Sequence, residues 1–322
     1  MELNEFLAEW HNDNPRILVH TSGSTGKPKP LMVEKRRMLN SARITCDFLG
    51  LKPGDTALLC MPLDYIAGKM MVVRSLQRDL RLTTVRPSSH PLADETLPHF
   101  TFAAMVPMQV YNTLKVPCER ERLMHIRHLI IGGGAISDEL AQMIKPLPNA
   151  VWSTYGMTDT LSHIALPRLN GPDASLWYTP FDGVGISLNA DGCLVIDAPE
   201  VCAEPLVTND IAQLRTDDRT GKTLFRIKGR KDNVACSGGI KIQIEEVEET
   251  LRPHLSAPFM IVKKQDEMLG EKAILLTESA DLTHIEEICR NTLPKYWVPR
   301  EFLHIDHLPL TETGKPKRSG AF

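Results

Sequence analysis

At 322 residues, with 42% hydrophobic and 24% charged side chains, the chain has the size for two domains and the composition of an ordinary globular protein. A net charge of -3, with basic residues clustered only at Lys315-Pro316-Lys317-Arg318, argues against a nucleic-acid partner; no apolar run approaches the roughly 18 residues that would span a bilayer. The seven cysteines (46, 60, 118, 193, 202, 236 and 289) form no Cys-x-x-Cys pair and the N-terminus is acidic and amphipathic, which together point to reduced thiols in a cytoplasmic protein with no signal peptide and no membrane insertion.

Residues 17–19 read as a strand, and the amphipathic run 33–49 reads as one helix. Between them lies His20-Thr21-Ser22-Gly23-Ser24-Thr25-Gly26-Lys27-Pro28-Lys29-Pro30. Four hydroxyls, two glycines and two lysines suit a loop whose backbone N–H groups face an anion, and a triphosphate is the natural guest. The P-loop of NTPases fails at two positions: Thr21 stands where that motif needs its first glycine, and Pro28 where it needs Ser or Thr.

Further on, residues 56–60 read as a buried strand, and 62–68 open a helix that runs through Arg74 to about residue 78. Strands are expected at 82–85 and 102–106, with a helical segment over 108–114. This alternation argues for an α/β layered domain of parallel strands and crossover helices. A strand at 129–131 runs into Gly132-Gly133-Gly134, where the backbone can approach a ligand closely, and Ser137 can cap a helix over 138–144.

A strand over 151–154 delivers Tyr155-Gly156-Met157-Thr158-Asp159-Thr160. A ring, a hydroxyl and a carboxylate at a strand end can stack a base, touch a phosphate and hold a metal; magnesium needs one or two carboxylates beside phosphate oxygens. From 161 to 228 the strands shorten between Gly turns, giving a small β-rich subdomain, antiparallel or barrel-like, in which Asn209-Asp210 alone would be a turn. Gly229-Arg230-Lys231-Asp232-Asn233 marks the boundary between domains 1–231 and 232–322. Past an acidic helix at 245–249, strands are expected at 259–262, 273–277 and 302–305 and a helix at 283–291, a compact α/β module. Lys317 and Arg318 read as a solvated tail.

These motifs, in this order, resemble the adenylate-forming superfamily of acyl-CoA synthetases, adenylation domains and luciferases. Its phosphate loop runs roughly Tyr/Phe-Thr-Ser-Gly-Ser/Thr-Thr-Gly-x-Pro-Lys-Gly, from which His20 and Pro30 depart at the ends. The resemblance implies a large N-terminal α/β domain and a small mobile C-terminal α/β domain. It also implies ATP, Mg2+ and the co-substrate CoA, and an AMP-forming acid–thiol ligation through an acyl-adenylate. Thr21, Ser22, Gly23, Ser24, Thr25, Gly26 and Lys27 would bind phosphates. Gly133, Gly134 and Ala135 would lie against adenine, with Ser153, Tyr155, Gly156 and Arg230 beside them and Asp210 on the ribose hydroxyls. Thr158 and Lys315 would be catalytic, and Asp159, where the family carries Glu, would hold the metal. Asp232 would be the hinge, and Gly238 and Gly239 would line the pantetheine channel.

Two segments, 62–68 followed by Arg74, and 155–163, are most similar to the o-succinylbenzoate–CoA ligases of menaquinone synthesis, with Tyr65 where those carry histidine. A substrate with a second carboxyl wants a cation, so Lys69, Arg74, Ser162 and His163 are the acyl-site candidates, with Arg74 or Lys69 on the carboxylate. Another aryl- or acyl-CoA ligase, a stand-alone adenylating enzyme and a nucleotide-binding pseudoenzyme stay open as alternatives. Full-length relatives carry a subdomain ahead of the phosphate loop, so the chain reads as an abridged member or a fragment. A homodimer or a reshaped acyl pocket is the corresponding expectation.

Overall fold

Glu2 N–H donates to the Glu5 carboxylate at 2.9 Å, a capping box that opens α1 (Leu3–His11), and the wholly buried Phe6 pins that helix to the core. The computed structural model describes residues 1–20, 30–134, 136–310 and 316–318. Next comes an antiparallel pair, β1 (Arg16–His20) with β2 (Pro30–Glu34), and α2 (Lys35–Phe48) follows directly. The helix expected over 33–49 is therefore corrected at its start. Residues 30–34 are extended because Ile17 pairs with Val33 and Leu18 with Met32, a partnership that local periodicity cannot report.

The layered α/β domain is present. Its elements are β3 (Thr56–Leu59), α3 (Ile66–Arg78), β4 (Arg81–Thr84), β5 (Phe102–Met105), α4 (Pro107–Lys115), α5 (Pro117–Met124), β6 (His128–Ile131), α6 (Asp138–Ile144) and β7 (Ala150–Ser153). The five strands form one parallel sheet of order β4-β3-β5-β6-β7. All four residues of β5 are buried, as are Ala57, Leu58 and Leu59 of β3, the pattern of parallel strands covered on both faces. Ser137 caps α6 as its position predicts, its hydroxyl accepting from Leu140 N–H at 3.2 Å. The short α5, entered through Pro117, carries too weak an apolar stripe to be read from sequence.

From β3 the chain adds β4 on one side and then β5 on the other. The order thus reverses between β3 and β5, where open α/β sheets take ligands outside the strands' carboxyl ends. Buried Gln109 ties that point together. Its Nε2 donates to the carbonyls of Cys60 (3.1 Å) and Ser88 (2.9 Å), and its Oε1 accepts from Val106 N–H (3.1 Å).

β8 (Tyr155–Gly156) pairs antiparallel with β9 (His163–Ala165). β10 (Gly185–Leu188), β11 (Cys193–Asp197), β12 (Leu206–Thr216) and β13 (Thr223–Arg230) then form a sheet with consecutive strands adjacent, so the β-rich stretch is an open four-stranded sheet. Last come β14 (Val234–Ser237), β15 (Ile240–Gln243), α7 (Ile244–Leu251), β16 (Phe259–Asp266), β17 (Gly270–Thr277), α8 (Leu282–Thr292) and β18 (Glu301–His304). The path β15-β14-β17-β16 is antiparallel, and β18 adds to β17 in parallel. Gly238 and Gly239, at φ +57° and +83°, turn β14 into β15; two consecutive positive φ values are what a two-residue hairpin turn asks of Gly-Gly.

Alternate residues of β16 and β17 face opposite ways. Ile261, Ala273 and Leu275 pack with Val247 and Leu251 of α7 and Ile285 of α8, while Met260, Val262, Ile274 and Leu276 meet Leu303 and Leu308. Contacts divide the chain into two units: Met1–Ile186 with Ile196–Leu206 and Arg215–Phe225, and Ser187–Val195 with Val207–Leu214 and Arg226–Phe322.

Arg318 corrects the reading of a solvated tail. Its guanidinium forks onto both Glu248 oxygens, at 2.6 and 2.8 Å, and onto the Ile261 carbonyl at 2.5 Å; Ile261 N–H returns a bond to Glu248 at 2.7 Å. The two side chains are only 15% and 10% exposed. All seven cysteines are free, and burial pushes the thiols of Cys60 and Cys289 up to about 12, which leaves them unreactive.

Candidate active site

Parallel strands place their carboxyl ends along one edge, and seven of the sequence candidates lie there. Gly133 and Gly134 follow β6; Ser153, Tyr155, Gly156, Thr158 and Asp159 end or follow β7. Gly132 N–H donates to the Met105 carbonyl at 3.1 Å, and a Cβ on Gly132 would sit 2.6 Å from Thr154 Oγ1, so the two loops touch and no side chain fits between them. Tyr155 stands edge-on to Tyr178 and Phe225, with ring centroids 5.6 and 5.0 Å apart, and the Tyr178 hydroxyl bonds to Ser153. Ser153 and Tyr155 thereby share one aromatic wall.

The turn after Thr158 is strained. Leu161 holds φ +63°, rare for a bulky side chain, with its N–H on the Thr158 carbonyl at 2.9 Å. Thr160 Oγ1 braces it, accepting from Met157 N–H at 3.0 Å and donating to the Ser162 carbonyl at 2.6 Å. The result is a buried Thr158 beside an exposed Asp159, whose backbone carbonyl takes the Cys202 thiol at 3.3 Å. β8 lies so close to β9 that a Cβ on Gly156 would stand 2.1 Å from the Ser162 carbonyl oxygen and 2.4 Å from His163 Cα.

Arg74, Ser162 and His163 are brought together. Arg74 Nη2 donates to Ser162 Oγ at 2.5 Å, Ser162 Oγ meets His163 Nδ1 at 3.2 Å, and His163 Nε2 meets Thr45 Oγ1 at 2.9 Å. Arg74 is 3% exposed, far from the helix-surface arginine its spacing allows. Its Nη1 reaches only the Met71 sulfur at 3.9 Å, its Nε–H is buried without a partner, and among the described residues no carboxylate pairs with it. Burial brings its pKa down to about 10, so it stays cationic at neutral pH. His163 is held well below its ordinary value, first by burial and then by the Arg74 charge, and is neutral.

Lys69 lies apart from this group. Its ammonium donates to the Leu18 carbonyl at 2.7 Å and sits 5.8 Å from the Phe6 ring centroid, and burial lowers its pKa.

A second cluster joins three further candidates. Arg230 Nη1 donates to Asp210 Oδ1 at 3.3 Å and its Nη2 to Asp232 Oδ2 at 2.9 Å. Asp210 also receives help from Thr208, whose Oγ1 accepts the Asp210 N–H at 3.1 Å. Gly238 and Gly239 occupy the hairpin turn described above. Thr21, Ser22, Gly23, Ser24, Thr25, Gly26, Lys27, Ala135 and Lys315 lie outside the described residues.

Sequence reasoning missed Thr45 and Gln109. Thr45 was legible in principle, as a polar residue on the α2 stripe that also buries Met38, Ser41, Ala42 and Cys46. Gln109 was legible only as the residue that caps the start of α4 through Val106 N–H, behind Pro107; its bonds to the Cys60 and Ser88 carbonyls come from two other loops and left no local signal.

The family model described as AMP-binding enzyme matches residues 4–202. The 2-succinylbenzoate–CoA ligase of Bacillus mycoides is 25% identical over 95% of this chain and 69% of its own length, and that of Bacillus cereus strain AH820 is 25% identical over 92% and 67%. Among solved structures, an acyl-CoA synthetase (AMP-forming)/AMP-acid ligase II-like protein from Dyadobacter fermentans is 32% identical, with a TM-score of 0.67 over 98% of this chain and 91% of its own. The o-succinylbenzoate coenzyme A synthetase of Bacillus subtilis, in complex with ATP and magnesium ion, has a TM-score of 0.73 at 22% identity, over 94% of this chain and 69% of its own.

Proposed function

Because this chain belongs to the AMP-binding enzyme family, we propose that it is an AMP-forming carboxylate–CoA ligase acting on o-succinylbenzoate or a closely similar aromatic dicarboxylic acid. One oxygen of the substrate carboxylate attacks the α-phosphorus of ATP, the bond to the β-phosphate oxygen breaks, and pyrophosphate leaves. The thiol of CoA then attacks the acyl-adenylate carbonyl and AMP departs, its phosphate a far better leaving group than the oxide of a free carboxylate. No protein nucleophile is needed, so the chain's task is to orient and to stabilise charge.

Thr158 sits buried beside the exposed Asp159 carboxylate, an arrangement that fits one Mg2+ held chiefly by phosphate oxygens. When bound, that ion neutralises charge on the departing phosphates. Tyr155, on its aromatic wall, offers a face for adenine, and Asp210 offers a carboxylate for the ribose hydroxyls. Lys315 is assigned the bridging cation of the first half-reaction and Asp232 the hinge that reorients the C-terminal domain for the second.

The observation that carries the acyl assignment is Arg74. A lone guanidinium buried without an anion is costly, by several kcal/mol, and a carboxylate from the ligand offsets that cost. Lys69, already given to the Leu18 carbonyl, is the weaker of the two cations for this role.

The test is pyrophosphate release from ATP and Mg2+ with o-succinylbenzoate, benzoate and acetate in parallel, with and without CoA. CoA-dependent turnover is expected with o-succinylbenzoate. Arg74→Met should raise KM for it by about 10- to 100-fold, the size of one charged hydrogen-bond pair, and leave KM for ATP unchanged. Equal shifts for the acid and for ATP would sink the assignment, and preference for benzoate or acetate would move the chain to another acyl-CoA ligase.

A further inference from the structure

We infer that Thr45 and His163 are positioning residues for the acyl site: together they fix the direction of the Ser162 hydroxyl and so hold the Arg74 guanidinium ready for the second carboxylate. This rests on the acyl reading above and goes one shell behind it. Neither Thr45 nor His163 need touch the substrate.

The proton positions follow from the bonds. Thr45 Oγ1 lies 3.0 Å from the Ser41 carbonyl, which can only accept, so the Thr45 proton goes there. Thr45 must then accept from His163, which puts the imidazole proton on Nε2. Nδ1, left bare, accepts the Ser162 proton at 3.2 Å, and the Ser162 oxygen turns a lone pair to Arg74 Nη2 at 2.5 Å. Every donor points one way, from Arg74 through Ser162 to His163, and from His163 through Thr45 to the backbone of α2.

The groups packed around the imidazole hold this state. Arg74 faces it from α3, Thr45 from α2, and the Phe181 ring stands edge-on with its centroid 5.7 Å away. No carboxylate bonds to the ring among the described residues, and burial together with the Arg74 charge keeps it neutral. Had the proton sat on Nδ1, it would point at Ser162 Oγ. The hydroxyl proton would then be driven toward the Arg74 N–H groups, against the positive charge already there, and the lone pair that receives Arg74 Nη2 would be turned away.

Thr45→Val removes the acceptor while keeping the shape. The expected result is a KM for o-succinylbenzoate raised by about tenfold, the worth of one neutral hydrogen bond, with KM for ATP unchanged; Thr45→Ser should stay within about twofold of the parent. The second readout is independent of turnover: 15N-detected NMR of His163 at neutral pH should show the Nε2–H tautomer in the parent and in Thr45→Ser, and its loss in Thr45→Val. An Nδ1–H or cationic His163 in the parent, a Val variant with parental KM for the acid, or a Ser variant that fails to restore it would each overturn the inference. If the tautomer is as stated while no acid releases pyrophosphate, the relay stands and the function reading falls.

Discussion

Gly156→Ala is expected to destabilise the first unit by about 3 kcal/mol, at the upper end for an overpacked site, because the added methyl meets backbone rather than a yielding side chain. Its Cβ would stand 2.1 Å from the Ser162 carbonyl oxygen and 2.4 Å from His163 Cα, and neither can move without opening the pairing of β8 with β9. The same displacement carries Ser162 Oγ away from Arg74. Urea unfolding of the variant should therefore show the stability loss, and pyrophosphate release should fall with a rise in KM for the acid larger than that for ATP. A loss below about 0.5 kcal/mol, the range of an ordinary surface change, would show that the two strands can separate freely.

Glu248→Gln is expected to cost the second unit about 3 kcal/mol, since it leaves the Arg318 guanidinium buried without its anion. The two side chains are 10% and 15% exposed and joined by a two-pronged bond, with the Ile261 amide and carbonyl completing the set. Arg318→Met alone strands the carboxylate and should cost a similar amount. The double variant Glu248→Gln with Arg318→Met should cost less than these two single changes added together, because removing both charges spares the remaining one from isolation. Strict additivity in chemical denaturation would mean that the pair is not coupled.

The sequence was most legible where a local signal had a local cause. The cap at Ser137 and the helix behind it, the apolar strands of the parallel sheet and the glycine loop after β6 all depend on residues within a few positions of one another. It was least legible where the cause lay elsewhere in the chain. The end of β2, residues 33–34, reads as the first turn of a helix because its partner, β1, lies on the far side of residues 21–29. Arg318 looked like a tail because Glu248 lies on a distant helix. Arg74, Ser162 and His163 stand out in the sequence, but spacing alone fits Arg74 to a helix surface as well as to a pocket, and Thr45, the residue that closes their network, lies on an otherwise ordinary buried stripe.

The strand order has a consequence for how the chain reaches this structure. In the parallel sheet every neighbour is far away in sequence: Ala57 meets Leu82 on one side and Phe102 on the other, so no pair can close without first looping out a helix or a long connection. The second unit contains two hairpins, in which Ser237 meets Ile240 and Asp266 meets Gly270. Such local contacts form in microseconds, and non-local parallel pairing is slower by orders of magnitude. The parallel sheet is therefore expected to form after the hairpins, and until it does the apolar runs of β3, β5 and β6 are the exposed, aggregation-prone segments of the chain.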